Sequence, residues 1–127
     1  VKLAMVQSYR DLIVYQRAYA VALIVHKETL NFPKIEQFAL ADQIRRASKS
    51  ICANIAEGFA KHYSSTQEFR RFLSMAIGSS DEMTVWLQFA YDLGYIESLA
   101  FEASMQEYIE ISKMLYVLSK NWKPSNN

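Results

Sequence analysis

The 127-residue chain has one cysteine, two prolines and three glycines. A lone Cys52 excludes an internal disulfide and fits a reducing compartment, so a cytoplasmic protein is expected. Gly58, Gly78, Gly94, Pro33 and Pro124 are too few for sandwiches, barrels or doubly wound sheets, which need turn residues about every ten positions. The longest strongly apolar run, about Ala18–Val25, falls well short of the ~20 residues of a membrane span. No basic, then apolar, then small-residue leader precedes it, so neither a signal peptide nor a membrane partner is expected. The glycines stand 20 and 16 residues apart, which leaves no loop to cradle phosphate. His26 and His62 form no His-x-x-x-His pair and have no partner cysteine, so neither a metal site nor a cofactor is expected. Ser79-Ser80-Asp81-Glu82 sets serines beside acids, but in mid-helix that pattern reads as a solvated face. Cys52 reads as a small core thiol. An enzyme is therefore not expected.

Hydrophobic residues make up 51% of the chain and charged residues 21%, a composition that excludes disorder and supports a single core at this length. Four helical segments emerge. The first runs from about Tyr9 to Asn31, ahead of Pro33. The second runs from about Gln37 to Phe59, with Leu40, Ile44, Ala47, Ile51, Ile55 and Phe59 at helical spacing, and Gly58 with the polar run Lys61-His62-Tyr63-Ser64 is expected to close it. The third opens on Ser65-Thr66-Gln67-Glu68, a capping-box pattern. It presents Phe69, Phe72, Leu73, Ala76, Ile77, Ser80, Met83, Leu87, Ala90 and Tyr91 on one face and stops at Gly94, placed for a left-handed C′ position. The fourth runs from about Ser98 to Trp122, with Met105, Tyr108, Ile109, Ser112, Leu115, Leu118 and Trp122 inward.

Similar lengths and short loops favour antiparallel neighbours. The expected fold is all-α: an up-down-up-down four-helix bundle over residues 9–122, with tails at 1–8 and 123–127. The first segment is apolar nearly all round, from Leu12 to Val25, which points to burial on more than one side. A homo-oligomer, assembled as a ring, is the expectation.

Residues 43–58 read Gln-Ile-Arg-Arg-Ala-Ser-Lys-Ser-Ile-Cys-Ala-Asn-Ile-Ala-Glu-Gly. Residues 68–78 read Glu-Phe-Arg-Arg-Phe-Leu-Ser-Met-Ala-Ile-Gly, residues 93–96 Leu-Gly-Tyr-Ile, and residues 11–16 Asp-Leu-Ile-Val-Tyr-Gln. In this order and spacing the chain resembles the bacterial four-helix bundle family of 23S rRNA intervening-sequence proteins. That family includes the accessory variability proteins of diversity-generating retroelements. The resemblance spans about residues 9–122. It implies a four-helix bundle assembled as a ring-like homopentamer, and in the retroelement branch binding to nucleic acid and to a reverse transcriptase. Lys49 and Cys52 stand where many relatives carry small residues or proline, and His62-Tyr63 where a more basic pair is common.

Two polar patterns are candidate sites. On the second helix Gln43, Arg46, Ser50, Asn54 and Glu57, followed by Lys61, form a stripe beside the apolar face. It reads as a hydrogen-bond ladder or subunit contact, with a polar binding groove as the alternative. The second pattern is axial. Up-down connectivity gathers residues 9–20, 49–63, 64–78 and 110–127 at one end, where nine cations face four acids for a net +5. The other end is net −5, although the whole chain carries only +1. Arg10, Arg17, Lys61, Arg70 and Arg71 are the candidate phosphate contacts for RNA or DNA, binding the backbone without reading bases. A protein-interaction scaffold with a partner such as a reverse transcriptase is the alternative. Aromatic pairs such as Phe69/Phe72, Trp86/Phe89, Tyr91/Tyr95 and Tyr15/Tyr19 can stack bases, but at helical spacing they read as core or interface packing.

Overall fold

The helix expected from Tyr9 begins only at Ile13, because the residues ahead of it satisfy one another. In the computed structural model, which describes residues 6–123, the Ser8 hydroxyl accepts from the Arg10 amide, and the Asp11 carboxylate accepts from the amides of Gln7 and Ser8. This reciprocal cap closes a single 3-10 turn over Tyr9–Asp11. Leu12 is then extended and buried, and α1 runs Ile13–Thr29. Most of the two expected tails, residues 1–5 and 124–127 with Lys2 and Pro124, lies outside the described residues.

The next helix also starts late. Gln37 does not open it; its side-chain amide donates to the carbonyls of Thr29 (2.8 Å) and Phe32 (3.1 Å), bracing the turn after α1. Helix α2 runs Leu40–Lys61 and carries Gly58 inside it, so that glycine is no stop signal. Its place follows from packing. A Cβ on Gly58 would lie 2.6 Å from Phe72 Cβ and 3.1 Å from the Phe69 ring, so the missing side chain is what lets α2 and α3 approach.

Helix α3 runs Thr66–Asp92. Ser65 accepts from the Glu68 amide at 3.0 Å as the capping pattern requires, but the Glu68 carboxylate pairs with Arg71 rather than with the Ser65 amide, so only half of the box forms. At the far end Gly94 has φ +80, Gly94 N–H reaches Tyr91 O and Tyr95 N–H reaches Ala90 O. These two bonds define a Schellman motif and satisfy the last carbonyls of the helix. Helix α4 runs Ser98–Asn121, with Trp122 as its buried C-cap.

Packing follows the expected cycle. Helix α1 neighbours α2 and α4, α3 neighbours α2 and α4, and the other two pairs stand on diagonals. The core holds Ile44, Ile51, Ile55, Phe69, Leu73, Met83, Tyr108, Ile111 and Leu115, all essentially inaccessible. Two inward assignments need correction. Ile109 is 38% exposed, and Ile111 takes the core position because the buried line of α4 runs Ser104, Tyr108, Ile111, Leu115. Tyr91 is also 38% exposed and stacks on Phe101 with ring centroids 4.4 Å apart. Helix α1 buries Val14, Ala18, Val21, Ala22 and Val25 and leaves Ile13, Leu23 and Ile24 about half bare. No helix among the described residues is long and apolar enough to cross a membrane.

Candidate nucleic-acid interface

The α1 start, α2 end, α3 start and α4 end meet at one pole. Trp122 fixes this junction: its ring lies 5.9 Å from Phe59 and 4.9 Å from Phe69, both edge-on. Edge-to-face contact suits the ring quadrupoles and holds the three helix ends together.

The five candidate phosphate contacts are not equivalent there. Arg10 is exposed and lies over the Tyr9 ring, 4.7 Å from its centroid. The Lys61 ammonium lies 5.6 Å from the Phe72 centroid. Neither has a carboxylate within salt-bridge distance among the described residues. The Arg70 guanidinium donates to Ser119 O at 2.8 Å and to Trp122 O at 3.2 Å, so it closes the carbonyl end of α4 while keeping its charge. A cation on a helix C-terminus is stabilised by the partial negative charge there. Arg71 spends its fork on Glu68, at 3.1 and 3.2 Å, and lies over the Phe72 ring. Its hydrogen bonds hold the Glu68 carboxyl below the usual range.

Arg17 departs from the expected pole. It makes a two-point pair with Glu107 of α4, at 2.9 and 2.7 Å, and its guanidinium touches Met114 Sδ. The Arg17 hydrogen bonds, opposed by some desolvation, hold the Glu107 carboxyl below its ordinary value. Lys49 departs as well; its ammonium reaches His26 Nδ1 on α1 at 2.9 Å. The pole therefore keeps seven of its nine cations against four acids, and its net charge is +3 rather than +5. Sequence halving missed this because long side chains reach across the dividing line.

The α2 stripe divides in two. Asn54 Nδ2 donates to Ser50 O (2.9 Å) and Ser50 Oγ (3.1 Å), and Ser50 Oγ meets Ser79 Oγ of α3 at 3.1 Å. This half is a short ladder between helices of one chain. Gln43, Arg46 and Glu57 are exposed and make no side-chain hydrogen bond among the described residues. Nor is the Ser79–Glu82 segment wholly a solvated face. Ser80 is buried and donates to Tyr108 O at 2.9 Å, and the single hydroxyl proton of Ser112 lies between Ser80 Oγ and Asp81 Oδ1, each 2.8 Å away. These serines tie α3 to α4. The expected aromatic packing holds for Phe69 and Phe72, whereas Phe89 is 53% and Tyr19 51% exposed.

Cys52 packs half-buried against the core, and burial pushes its thiol up to about 11. Burial likewise raises the Tyr108 phenol. Among the described residues no three His, Cys, Asp or Glu side chains are placed to hold a metal ion.

An antiparallel four-helix bundle with a moderately basic pole is the class this arrangement defines. The model of the 23S rRNA-intervening sequence protein family matches residues 10–117, and the chain belongs to that family. It is also similar to a crystal structure from Bacteroides thetaiotaomicron, described as a protein with unknown function from the S23 ribosomal protein family. The two share 26% identity with a TM-score of 0.74, over 86% of this chain and all of the other. A comparison with curated proteins gives no match.

Proposed function

We propose that this chain is a non-catalytic, self-assembling bundle that holds the phosphate backbone of RNA or DNA at its basic pole. The observation that carries the reading is the pair Arg10 and Lys61, cations without carboxylate partners at a pole of net +3. Arg70 adds charge from its carbonyl-bound position, and Lys120 and Lys123 extend the same end. Contacts of this kind position a backbone and read no bases. Self-assembly is supported by the bare apolar side of α1, where Ile13, Leu23 and Ile24 are each about half exposed. Such patches mark contact surfaces. Parallel protomers in a ring, five by the family resemblance, would point every basic pole the same way and multiply its field.

The test is binding of a structured RNA and a duplex DNA to the protein and to an Arg10→Glu/Lys61→Glu variant. Arg10 is exposed and Lys61 half-exposed, and neither belongs to the core. The reading predicts at least about a tenfold loss at moderate salt, as expected for reversing two phosphate contacts. Unchanged affinity would refute it.

One observation favours a second reading, a scaffold for a protein partner such as the reverse transcriptase of a retroelement. The opposite pole carries Leu30, Ile35, Phe38, Leu93 and Leu99, each more than half exposed and Phe38 at 95%. A protein partner captured by this pole, together with no nucleic-acid affinity, would favour the scaffold.

A further inference from the structure

A second grouping of basic side chains without a carboxylate in salt-bridge distance lies away from the basic pole, in the groove between α1 and α2. Arg45 sits one helical turn before Lys49 on α2. Lys49 Nζ lies 2.9 Å from His26 Nδ1 and donates to Arg45 O at 3.3 Å. The Arg45 fork is held in place by Thr29 Oγ1 at 3.0 Å, by Gln37 Oε1 at 3.1 Å and by the Gln37 carbonyl. Among the described residues no acid lies within salt-bridge distance of Arg45, Lys49 or His26. Desolvation first, then Lys49 and Arg45, lower the His26 pKa; no acid on α1, α2 or α4 offsets them. Desolvation and Arg45 lower Lys49 in the same way.

This is an unusual way to leave three basic groups. A lysine that donates to Nδ1 needs a neutral imidazole, whose proton is then on Nε2. The cluster thus offers an Nε2–H, a further ammonium proton on Lys49 and the charge of a fixed guanidinium. Lys49 is exposed and His26 and Arg45 half-exposed, so a ligand can reach them from solvent. Like charges gathered without a counter-ion are stabilised when an anion enters.

We propose that His26, Arg45 and Lys49 form a binding site for a tetrahedral oxyanion of the phosphate class. The site is separate from the basic pole and stands whether or not that pole binds nucleic acid. A free phosphate and a backbone phosphodiester share this chemistry. When the anion binds, Lys49 turns from His26 to the ligand, Nδ1 becomes free to take a proton, and the imidazolium completes the cradle.

The experiment is a histidine NMR titration of the whole chain between pH 5 and 8. It is run in chloride, sulfate and inorganic phosphate at matched ionic strength, with added free imidazole as the reference. The site predicts that sulfate and phosphate raise the His26 midpoint saturably by about one unit, a tenfold preference of the anion for the imidazolium form. The free imidazole and the chloride samples should not follow. Lys49→Gln, a surface change, should weaken the anion effect about tenfold with an unchanged helical spectrum. Arg45 is left intact because it also braces Gln37 and Thr29. Adding a short oligonucleotide in place of phosphate assigns the source: a rise at lower phosphate concentration marks a backbone ligand, and none marks a free anion. An equal response in chloride, no saturation, or full retention in Lys49→Gln would overturn the site.

Discussion

Gly58 and Phe72 meet at the α2–α3 crossing so closely that a Cβ on the glycine would stand 2.6 Å from the phenylalanine Cβ. That atom is fixed to the backbone and cannot swing aside. Gly58→Ala must therefore push the two helices apart, even though alanine favours helix more than glycine does. The expected cost is about 3 kcal/mol, at the upper end of overpacking effects, read as a lower midpoint in chemical denaturation. Gly78→Ala provides the contrast: nothing lies within 4 Å of a Cβ there, so it should stabilise by about 0.5–1 kcal/mol. Equal effects of the two changes would contradict the crossing as the reason for Gly58.

Cys52 should be a quiet thiol. Burial raises it to about 11, so very little thiolate exists at neutral pH, and the thiolate is the reacting form. Modification by a disulfide reagent at pH 7.5 should be slow in the folded protein and fast in denaturant. Rapid stoichiometric reaction of the native chain would show Cys52 to be open.

Much of this architecture was legible in the residues, for identifiable reasons. The uninterrupted spacing from Ile44 to Phe59 is a core face whatever surrounds it, and Gly94 lies where a helix needs a left-handed residue. The misplacements arise where a side chain takes on work the period does not encode. Gln37 braces a turn, Asp11 caps Ser8, and Gly58 makes room for a neighbour that lies 14 positions on in the chain. The candidate interface was less legible. Helical spacing brought Ser50 and Asn54 together correctly, but it could not show that Arg17 would reach Glu107 across 90 residues or that Lys49 would reach His26. Those contacts depend on which helices adjoin and on how far a long side chain reaches.

The Arg17–Glu107 pair should make stability depend on pH in the acid range. The folded Glu107 carboxyl titrates below its ordinary value of 4.5 because Arg17 holds it ionised. Its contribution is complete above that value and is lost as pH falls through the folded-state midpoint. Glu107→Gln should cost about 0.5–1 kcal/mol at pH 7, the range for a partly exposed pair, and almost nothing near pH 2. A difference between wild type and variant that persists undiminished at low pH would show that packing, rather than charge, carries the effect.

Self-assembly should depend on the bare side of α1. Ile24 is 54% and Leu23 48% exposed, so charge placed there spares the monomer core and burdens a subunit contact. Light scattering should give a multiple of the 14.7 kDa chain for the wild type and a smaller mass for Leu23→Glu/Ile24→Glu, with the helical spectrum retained. A monomeric wild type, or a variant of undiminished mass, would remove α1 from the assembly.

The central claim is that an exposed basic pole binds nucleic acid by charge alone, and a salt titration tests it most directly. Affinity for a mixed-sequence structured RNA is measured from low to moderate salt on the assembled protein. The account predicts that the logarithm of the affinity falls linearly with the logarithm of salt, with a slope set by the number of phosphates neutralised, and that RNA sequence matters little. An affinity that ignores salt, or no binding even at low salt, would contradict it.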